Sequence, residues 1–307
     1  MERIIDIATD GRHLSAHRGF LIVAEGHEEV GRVPLDDVGA VIVHAHGVTW
    51  TTNLVVALAE RGATLLLCGS NHAPVAVCLP ITGHYAQNAR MRAQWEAKRP
   101  LAKQLWRAVV VAKIRWQGAV VAANGGAAAP YDYLARRVGS GDPENVEAQA
   151  ARRYWSELMG GAFRRDRDAG GANAMLNYGY AVMRAACARA VVAAGLHPSV
   201  GIHHANRGNP LALADDLIEP FRPLVDALTV RLRAGGHEEV TPEVKRAYAG
   251  LIALDLPGED GVTTVWQAAM RAAASLAKSF QSGVAADLVL PRPPSALELA
   301  GLGAAVA

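Results

Sequence analysis

Short apolar runs alternate with turn-forming residues over the first 81 positions of the chain. Runs of four to eight aliphatic and β-branched residues bounded by Gly, Asp and Asn are typical of β-strands. One helical segment interrupts them, from Thr52 to Arg61, and Gly62 provides its C-terminal stop. The predicted strands lie in RIIDI, GFLIVAEG, GAVIVHAHG, ATLLLCGS and PVAVCLPI. The pattern therefore predicts a small β-rich domain in the N-terminal part.

Beyond Gly83 the pattern changes to long segments rich in Ala and Arg, with apolar residues three and four positions apart. This spacing predicts amphipathic helices. The predicted helices cover residues 86–98, 100–123, 129–137, 143–159, 172–194, 209–233, 242–255 and 262–279. We therefore predict an α+β protein, in which a β-rich N-terminal domain (1–83) precedes a larger all-α C-terminal domain (84–280). The remaining tail (281–307), which contains PRPP, is predicted to be loosely packed.

Composition narrows the class of protein. Hydrophobic residues make up 51% of the 307 positions and charged residues 20%, which excludes a disordered chain. Three widely spaced cysteines exclude a disulfide framework and a thiolate zinc site. No apolar stretch reaches the roughly 20 residues that span a bilayer, and the N-terminus lacks a signal-peptide pattern. We therefore expect a cytoplasmic protein without a membrane role.

One carboxylate is predicted to face the protein interior. In SGDPENVEAQAARRYW, Asp142 can cap a helix and Pro143 suits its first position. In that helix Glu147 lies on the same apolar stripe as Ala150 and Tyr154. An isolated buried charge is costly, so Glu147 must pair with a cationic side chain or bind a metal ion. Without further information the ion pair is the favoured alternative, because structural ion pairs are commoner than metal sites.

A second polar segment, GIHHANRGNPLALADDLIEPFRP, offers possible partners for Glu147. His203 and His204 lie in a Gly- and Asn-rich connection, and a helix starting at NP would place Asp215 and Glu219 on one face, with Asp216 adjacent. Carboxylates with one imidazole suit Mg²⁺ or Mn²⁺ better than structural zinc. The alternative is that these are loop histidines bonded to the backbone. The residues alone do not choose among the five.

Basic residues cluster in two places. The stretch 90–117 is rich in Lys and Arg and contains three tryptophans, and a group of arginines flanks the predicted Glu147 helix. Such groups can neutralise DNA phosphates, although a solvated face with tryptophans in the core is the alternative. The predicted DNA contacts are Lys113, Arg152, Arg153, Arg164 and Arg165.

Four ordered motifs, NVEAQAARRYW, LNYGYAVMRA, GIHHANRGN and LADDLIEPFRPLVD, resemble the CRISPR-associated protein one family, the integrase and endonuclease of spacer acquisition. The resemblance is greatest to the type II form, and GAVIVHAHGVTWTTNLVVALAERGATLLLCG extends it to the N-terminal part. It implies that Glu147, His204 and Glu219 are the catalytic metal ligands, with Mg²⁺ or Mn²⁺ as cofactor. The roles of Asp215 and Asp216 stay open.

The resemblance also implies an activity and partners. A protospacer 3′-hydroxyl would attack a phosphodiester of the CRISPR repeat in a metal-dependent transesterification. The implied partners are double-stranded DNA, a second copy of the chain bound through the N-terminal domain, a dimer of CRISPR-associated protein two, and the type II effector nuclease with its accessory adaptation protein. Two alternatives are a stand-alone metal nuclease acting on branched DNA and a non-catalytic DNA-binding scaffold whose acidic residues are ion-paired.

Overall fold

The computed structural model describes residues 3–69, 74–81, 84–258, 261–295 and Leu299. It confirms the predicted α+β class, because two four-stranded sheets form the N-terminal part and packed helices dominate the rest. The elements of the N-terminal part are β1 (Arg3–Ile7), β2 (Arg12–His17), β3 (Phe20–Glu25), β4 (Glu28–Pro34), β5 (Val38–Val43), β6 (Thr49–Trp50), α1 (Thr52–Glu60), β7 (Thr64–Cys68) and β8 (Pro74–Cys78).

The two sheets differ in strand direction. In the first, with order β1-β5-β7-β8, the pairs β1–β5 and β5–β7 are parallel and β7–β8 is antiparallel. In the second, with order β4-β3-β2-β6, β3 lies antiparallel to both neighbours and β2 pairs in parallel with β6. Strands β2 and β4 were not predicted, because neither RHLSAH nor EEVGRVP contains a continuous apolar run. Pairing with the apolar β3 selects their extended conformation.

Strand β5 is buried along its whole length, because both faces of the first sheet are covered. Val41 and Val43 belong to an apolar core within the N-terminal part, together with Leu14 of β2. Ala40 and Ile42 point the other way, into the core of the helical part. A strand covered on both faces is expected to be continuously apolar, as VGAVIV is. The two parts of the chain therefore share the first sheet.

The helical part is built around one long buried helix, α6. Of its residues, Arg189 reaches the N-terminal part, where it donates to the carbonyl oxygens of Gly39 (3.1 Å) and Arg61 (3.3 Å). Among the described residues, no helix is both long and apolar enough to cross a membrane. The elements are α2 (Gln87–Trp95), α3 (Arg99–Ala123), α4 (Ala129–Arg137), α5 (Val146–Met159), α6 (Ala172–Ala193), α7 (Ala212–Leu217), α8 (Arg222–Ala234), α9 (Pro242–Gly250), β9 (Asp255–Gly258), β10 (Gly261–Thr264) and α10 (Val265–Ser282).

Two regions of the helical part differ from the prediction. The single helix expected over 209–233 is divided into α7, a 3-10 turn at Glu219–Phe221 and α8, because Pro220 and Pro223 remove backbone donors. The helices expected over 242–255 and 262–279 are separated by the antiparallel hairpin β9–β10. The part predicted to be all-α therefore contains two short strands.

The segment after α10 is fixed to the helical core more closely than its composition suggests. Trp116 of α3 donates its indole N–H to the carbonyl oxygen of Pro291 at 2.9 Å. Leu288 and Leu290 pack against the same core. Packing therefore extends well into the stretch 281–307, which was predicted to be loose, although 296–298 and 300–307 lie outside the described residues.

Close packing at Gly179 of α6 supports a testable prediction. A Cβ atom there would overlap the side chain of Val225 on α8 and would lie 2.7 Å from the ring of Tyr248 on α9. We expect Gly179→Ala to lower the free energy of unfolding by about 1–3 kcal/mol, the usual cost of overpacking a core. Urea denaturation measures the change. Gly31→Ala is the matched control, because a Cβ atom there meets open space, and an equal loss in both variants would contradict the prediction.

Candidate metal centre

The N-terminus of α5 fixes the position of Glu147. Asn145 caps the helix in a left-handed conformation (φ 51°), which asparagine tolerates, and its side chain accepts the N–H of Ala148. Asp142 accepts the N–H groups of Val146 and Glu147, both at 2.9 Å. The helix therefore begins three residues later than predicted, yet Glu147 still lies in its first turn, with its side chain 25% exposed.

Two carboxylates from distant segments converge on one cation. The ammonium of Lys113, on α3, lies 2.5 Å from Oε1 of Glu147 and 2.6 Å from Oε2 of Glu219. The other oxygen of Glu219 accepts the Nε–H of Arg222 at 2.8 Å. Two positive and two negative groups therefore meet at this point. An ion pair with Lys113 and a bound metal ion, the two alternatives considered for Glu147, would use the same carboxylate oxygens.

Burial and charge act against each other within this cluster. Burial alone would raise the pKa of Glu219, but Arg222 and Lys113 outweigh it and lower the pKa to about 2. Burial would likewise lower the pKa of Lys113, but Glu219 and Glu147 outweigh it, so that the pKa is raised. Glu219 and Lys113 are therefore both charged at neutral pH.

Asp216 organises the loop that carries the two histidines. Its buried carboxylate accepts the N–H groups of Ile202 (2.5 Å), His203 (3.1 Å) and His204 (3.1 Å). Gly201 is required at the start of this loop, because a Cβ atom there would overlap the carbonyl oxygen of His204 and would lie 2.8 Å from Oδ2 of Asp216. Asp216 therefore fixes the backbone of the loop.

Asp216 also fixes the ring of His204. Oδ1 of Asp216 lies 2.7 Å from Nδ1 of His204, which leaves Nε2 as the ring nitrogen available for ligation. This hydrogen bond outweighs burial, and the pKa of His204 is raised. His203, in contrast, is exposed and stacks on Trp106 with ring centroids 4.2 Å apart. The two consecutive histidines therefore have different environments, and His204 is the one held by a carboxylate.

Asp215 has different partners from those of Asp216 and Glu219. It accepts two hydrogen bonds from Arg184 of α6, at 2.6 and 2.8 Å, and one from Asn209 at 2.6 Å. This bidentate arrangement is typical of a structural ion pair. The structure thus brings Glu147 and Glu219 together around Lys113, whereas Asp215 ties α7 to α6.

The carboxylates present can hold a cation, since they already hold an ammonium group. Oε2 of Glu219 is buried and, despite its short distance to Lys113, accepts no hydrogen bond of ordinary geometry. Over the part of the chain that the structure describes, no three His, Cys, Asp or Glu side chains lie close enough to share one ion. Ligation by Glu147, His204 and Glu219 together would therefore require these side chains to move.

The five residues predicted to contact DNA have different environments. Arg152 and Arg153 are exposed on α5, and Arg153 pairs with a glutamate one turn later, at 2.7 Å. Arg164 is exposed in the loop after α5, whereas Arg165 is partly buried and donates to two asparagines on α6. Lys113 contacts carboxylates instead of solvent and is only 13% exposed. Arg152, Arg153 and Arg164 therefore remain accessible to DNA phosphates.

The residues that pack around Arg222, the partner of Glu219, were not predicted from the sequence. Arg222 stacks on the ring of Tyr180 at 4.6 Å, and Asp226 accepts the hydroxyls of Tyr180 (2.5 Å) and Tyr154 (3.0 Å). Burial raises the pKa of Asp226 to about 7, despite these two hydrogen bonds. The three-residue spacing from Glu219 to Arg222 could have indicated their pairing. No local pattern indicates the tyrosines, which come from two other helices.

Comparisons with known proteins agree with these motifs. The family model described as CRISPR associated protein Cas1 matches residues 5–242. The chain is 40% identical over 241 residues to the CRISPR-associated endonuclease Cas1 of Neisseria meningitidis, covering 77% of this chain and 79% of that one. It is 29% identical to a CRISPR-associated endonuclease Cas1 of Pyrobaculum aerophilum, covering 74% and 82%.

Solved structures show the same fold at lower identity. A casposase bound to integration product superposes with a TM-score of 0.76 at 20% identity, covering 92% of this chain and 91% of that one. At such identity the likeness concerns the fold alone. The likeness to the Neisseria protein, which comes from a type II system, supports a type II-like form. The family model covers more than half of the chain, and the chain therefore belongs to the Cas1 family of CRISPR-associated proteins.

Proposed function

We propose that this protein is a divalent-metal-dependent DNA endonuclease and integrase of CRISPR adaptation, which inserts protospacer DNA into the CRISPR array. One observation carries the proposal: Glu147 and Glu219, at the motif positions of the family's ligands, converge on a single cation. His204 completes the ligand set. Its Nε2 is available because Asp216 holds Nδ1.

When bound, Mg²⁺ or Mn²⁺ would activate the attacking 3′-hydroxyl, stabilise the leaving oxygen and offset phosphoryl charge. The residues of the chain prepare the site for it. Asp216 fixes the ring of His204, and Arg222 fixes one oxygen of Glu219. Arg152 and Arg153, exposed on the helix of Glu147, would hold the DNA backbone in line.

The partners follow from family membership and the proposed reaction. We infer that the functional unit binds double-stranded DNA of the protospacer and of the repeat, and that it is a homodimer assembled with a dimer of CRISPR-associated protein two. In a type II system the effector nuclease and its accessory adaptation protein would take part. Size-exclusion chromatography with light scattering tests the homodimer directly.

A half-site integration assay tests the reaction. Labelled protospacer DNA, a plasmid carrying the repeat, CRISPR-associated protein two and Mn²⁺ are incubated with the protein. We expect joined strands that disappear with EDTA. Nicks without joining would favour a stand-alone nuclease acting on branched DNA. Neither product, at any ion concentration, would favour a DNA-binding scaffold and contradict the proposal.

Ion binding is expected to weaken as pH falls. Protonated imidazole cannot coordinate a metal, and Asp216 raises the pKa of His204, so the loss begins at a higher pH than for an ordinary histidine. Below that pKa we expect the Mn²⁺ affinity to fall about tenfold per pH unit. Electron paramagnetic resonance of free Mn²⁺ measures it. Loss of the pH dependence in His203→Ala, with its retention in His204→Ala, would assign the ligand to His203 instead.

A further inference from the structure

Lys113 has no assigned role in the proposed reaction, although its ammonium group lies within the proposed metal centre. Its helix cannot move readily, because Val109, Val110, Ile114 and Trp116 on either side of it are buried in the helical core. The side chain is itself 13% exposed, and its ammonium contacts both proposed ligand carboxylates. A lysine in this position is therefore held in place and directed at the carboxylates.

The ammonium and a metal ion need the same two oxygen atoms. Oε1 of Glu147 and Oε2 of Glu219 lie 2.5 and 2.6 Å from the ammonium nitrogen of Lys113. Mg²⁺ bound by the same atoms would lie about 2.1 Å from each. A divalent ion and the ammonium would then be nearly superimposed, and their like charges would repel strongly in a site with little water. They cannot both bridge these carboxylates.

The charge count gives the same result. Arg222 remains against the other oxygen of Glu219 at 2.8 Å and can stay there when an ion binds. Lys113 and Arg222 already neutralise Glu147 and Glu219, so adding a divalent ion leaves two excess positive charges, and withdrawal of Lys113 reduces this excess to one. Removal of the ammonium from the carboxylates is thus a part of the cost of ion binding.

We propose that Lys113 is a built-in competitor of the divalent ion: its ammonium holds Glu147 and Glu219 together and weakens ion binding until it is displaced. This rests on the proposed function, because the same carboxylates serve as ligands. Lys113 acts through these carboxylates and is a positioning residue. It sets the ion concentration at which the centre loads, and at lower concentrations it keeps Glu147 and Glu219 close together.

Ion affinity without any DNA reaction tests the proposal. Mn²⁺ binding to the full chain is titrated by electron paramagnetic resonance for the wild type, Lys113→Met, Glu219→Gln and Lys278→Met. Lys278 is the matched control, because its ammonium is exposed and pairs with Asp287 instead of Glu147 or Glu219. We expect Lys113→Met to bind Mn²⁺ at least about tenfold more tightly. Lys278→Met should stay within about twofold of the wild type, and Glu219→Gln should lose the site.

The outcomes separate this proposal from the proposed function. If Lys113→Met binds Mn²⁺ as the wild type does or more weakly, while Glu219→Gln loses Mn²⁺ binding, Lys113 is not a competitor but the proposed metal centre stands. Equal Mn²⁺ affinity in the wild type and in Glu219→Gln would instead contradict the proposed metal centre.

Thermal unfolding provides a second readout. In EDTA, Lys113→Met is expected to melt at a lower temperature than the wild type, because two buried carboxylates lose their shared cation. Mn²⁺ should raise the melting temperature of the variant more than that of the wild type. Lys113→Gln, which keeps hydrogen-bond donors but has no charge, should behave in the same way. Variants that fold only with Mn²⁺ would support the proposal, whereas variants that do not fold even with Mn²⁺ would overturn it.

Discussion

Replacement of Glu147 by glutamine is expected to reduce strand joining at least about 10³-fold while the protein stays folded. The amide has the shape of the carboxylate but no charge, and it is a poor ligand for Mg²⁺. A loss of about 4 kcal/mol in transition-state stabilisation corresponds to this factor. The hydrogen bond from the backbone of Glu147 to Asp142 is unaffected, so α5 keeps its N-terminus. Single-turnover half-site integration measures the rate.

Glu144→Gln is the control for this variant. The same chemical change is made three residues earlier, at an exposed carboxylate that pairs with Arg137. It should leave the joining rate within about twofold of the wild type. Glu219→Gln would be a less clean test, because it leaves Arg222 and Lys113 buried without their shared carboxylate. Unimpaired joining by folded Glu147→Gln would remove Glu147 from the ligand set.

Asp216→Ala is expected to cause the largest loss of stability at the site, about 3–5 kcal/mol. Three backbone N–H groups and the ring of His204 lose a fully buried acceptor, and each of these part-buried donors that water does not reach costs about 1–3 kcal/mol. The ring of His204 would also lose its orientation, and we expect Mn²⁺ affinity to fall about 10- to 100-fold. Urea denaturation and Mn²⁺ titration measure the two effects.

Asp215→Asn separates the two adjacent acids. Asp215 binds Arg184 and Asn209 and makes no hydrogen bond to either histidine, so its replacement should leave Mn²⁺ affinity within about twofold. The variant should also retain more stability than Asp216→Ala, because asparagine can still accept one of the hydrogen bonds from Arg184. A loss of ion affinity as large as that in Asp216→Ala would mean that Asp215 contributes to the centre.

The predictable elements of the fold are those with strong local signals. Regular apolar spacing predicted α3 and α4 to within one residue. The strands β2 and β4 could not be predicted, since their sequences lack an apolar run and become extended by pairing with β3. The hairpin β9–β10 was hidden because a helical pattern resumes directly after it. Tertiary pairing decided each of these cases.

In the site, too, local patterns were predictable and tertiary contacts were not. Helix phase placed Glu147 towards the interior, and the motifs named Glu219 and His204 as its partners. Lys113 was predicted to bind phosphate, because a lysine in a basic stretch carries no sign of the carboxylate that a distant segment brings to it. Similarly, Asp215 and Asp216 are adjacent and chemically identical, and only the packing of α7 gives one of them Arg184 and the other the histidine loop.

The sheet shared by both parts of the chain has a consequence for biosynthesis. Arg189 meets Gly39 across a sequence separation of 150 residues. At about 5–20 residues per second, the ribosome needs about 8–30 s to make that intervening chain. During this time the face of the sheet that carries Ile4, Ala40 and Ile42 has no covering helix. A chaperone would therefore be needed most during the interval between the synthesis of the N-terminal sheet and the synthesis of α6.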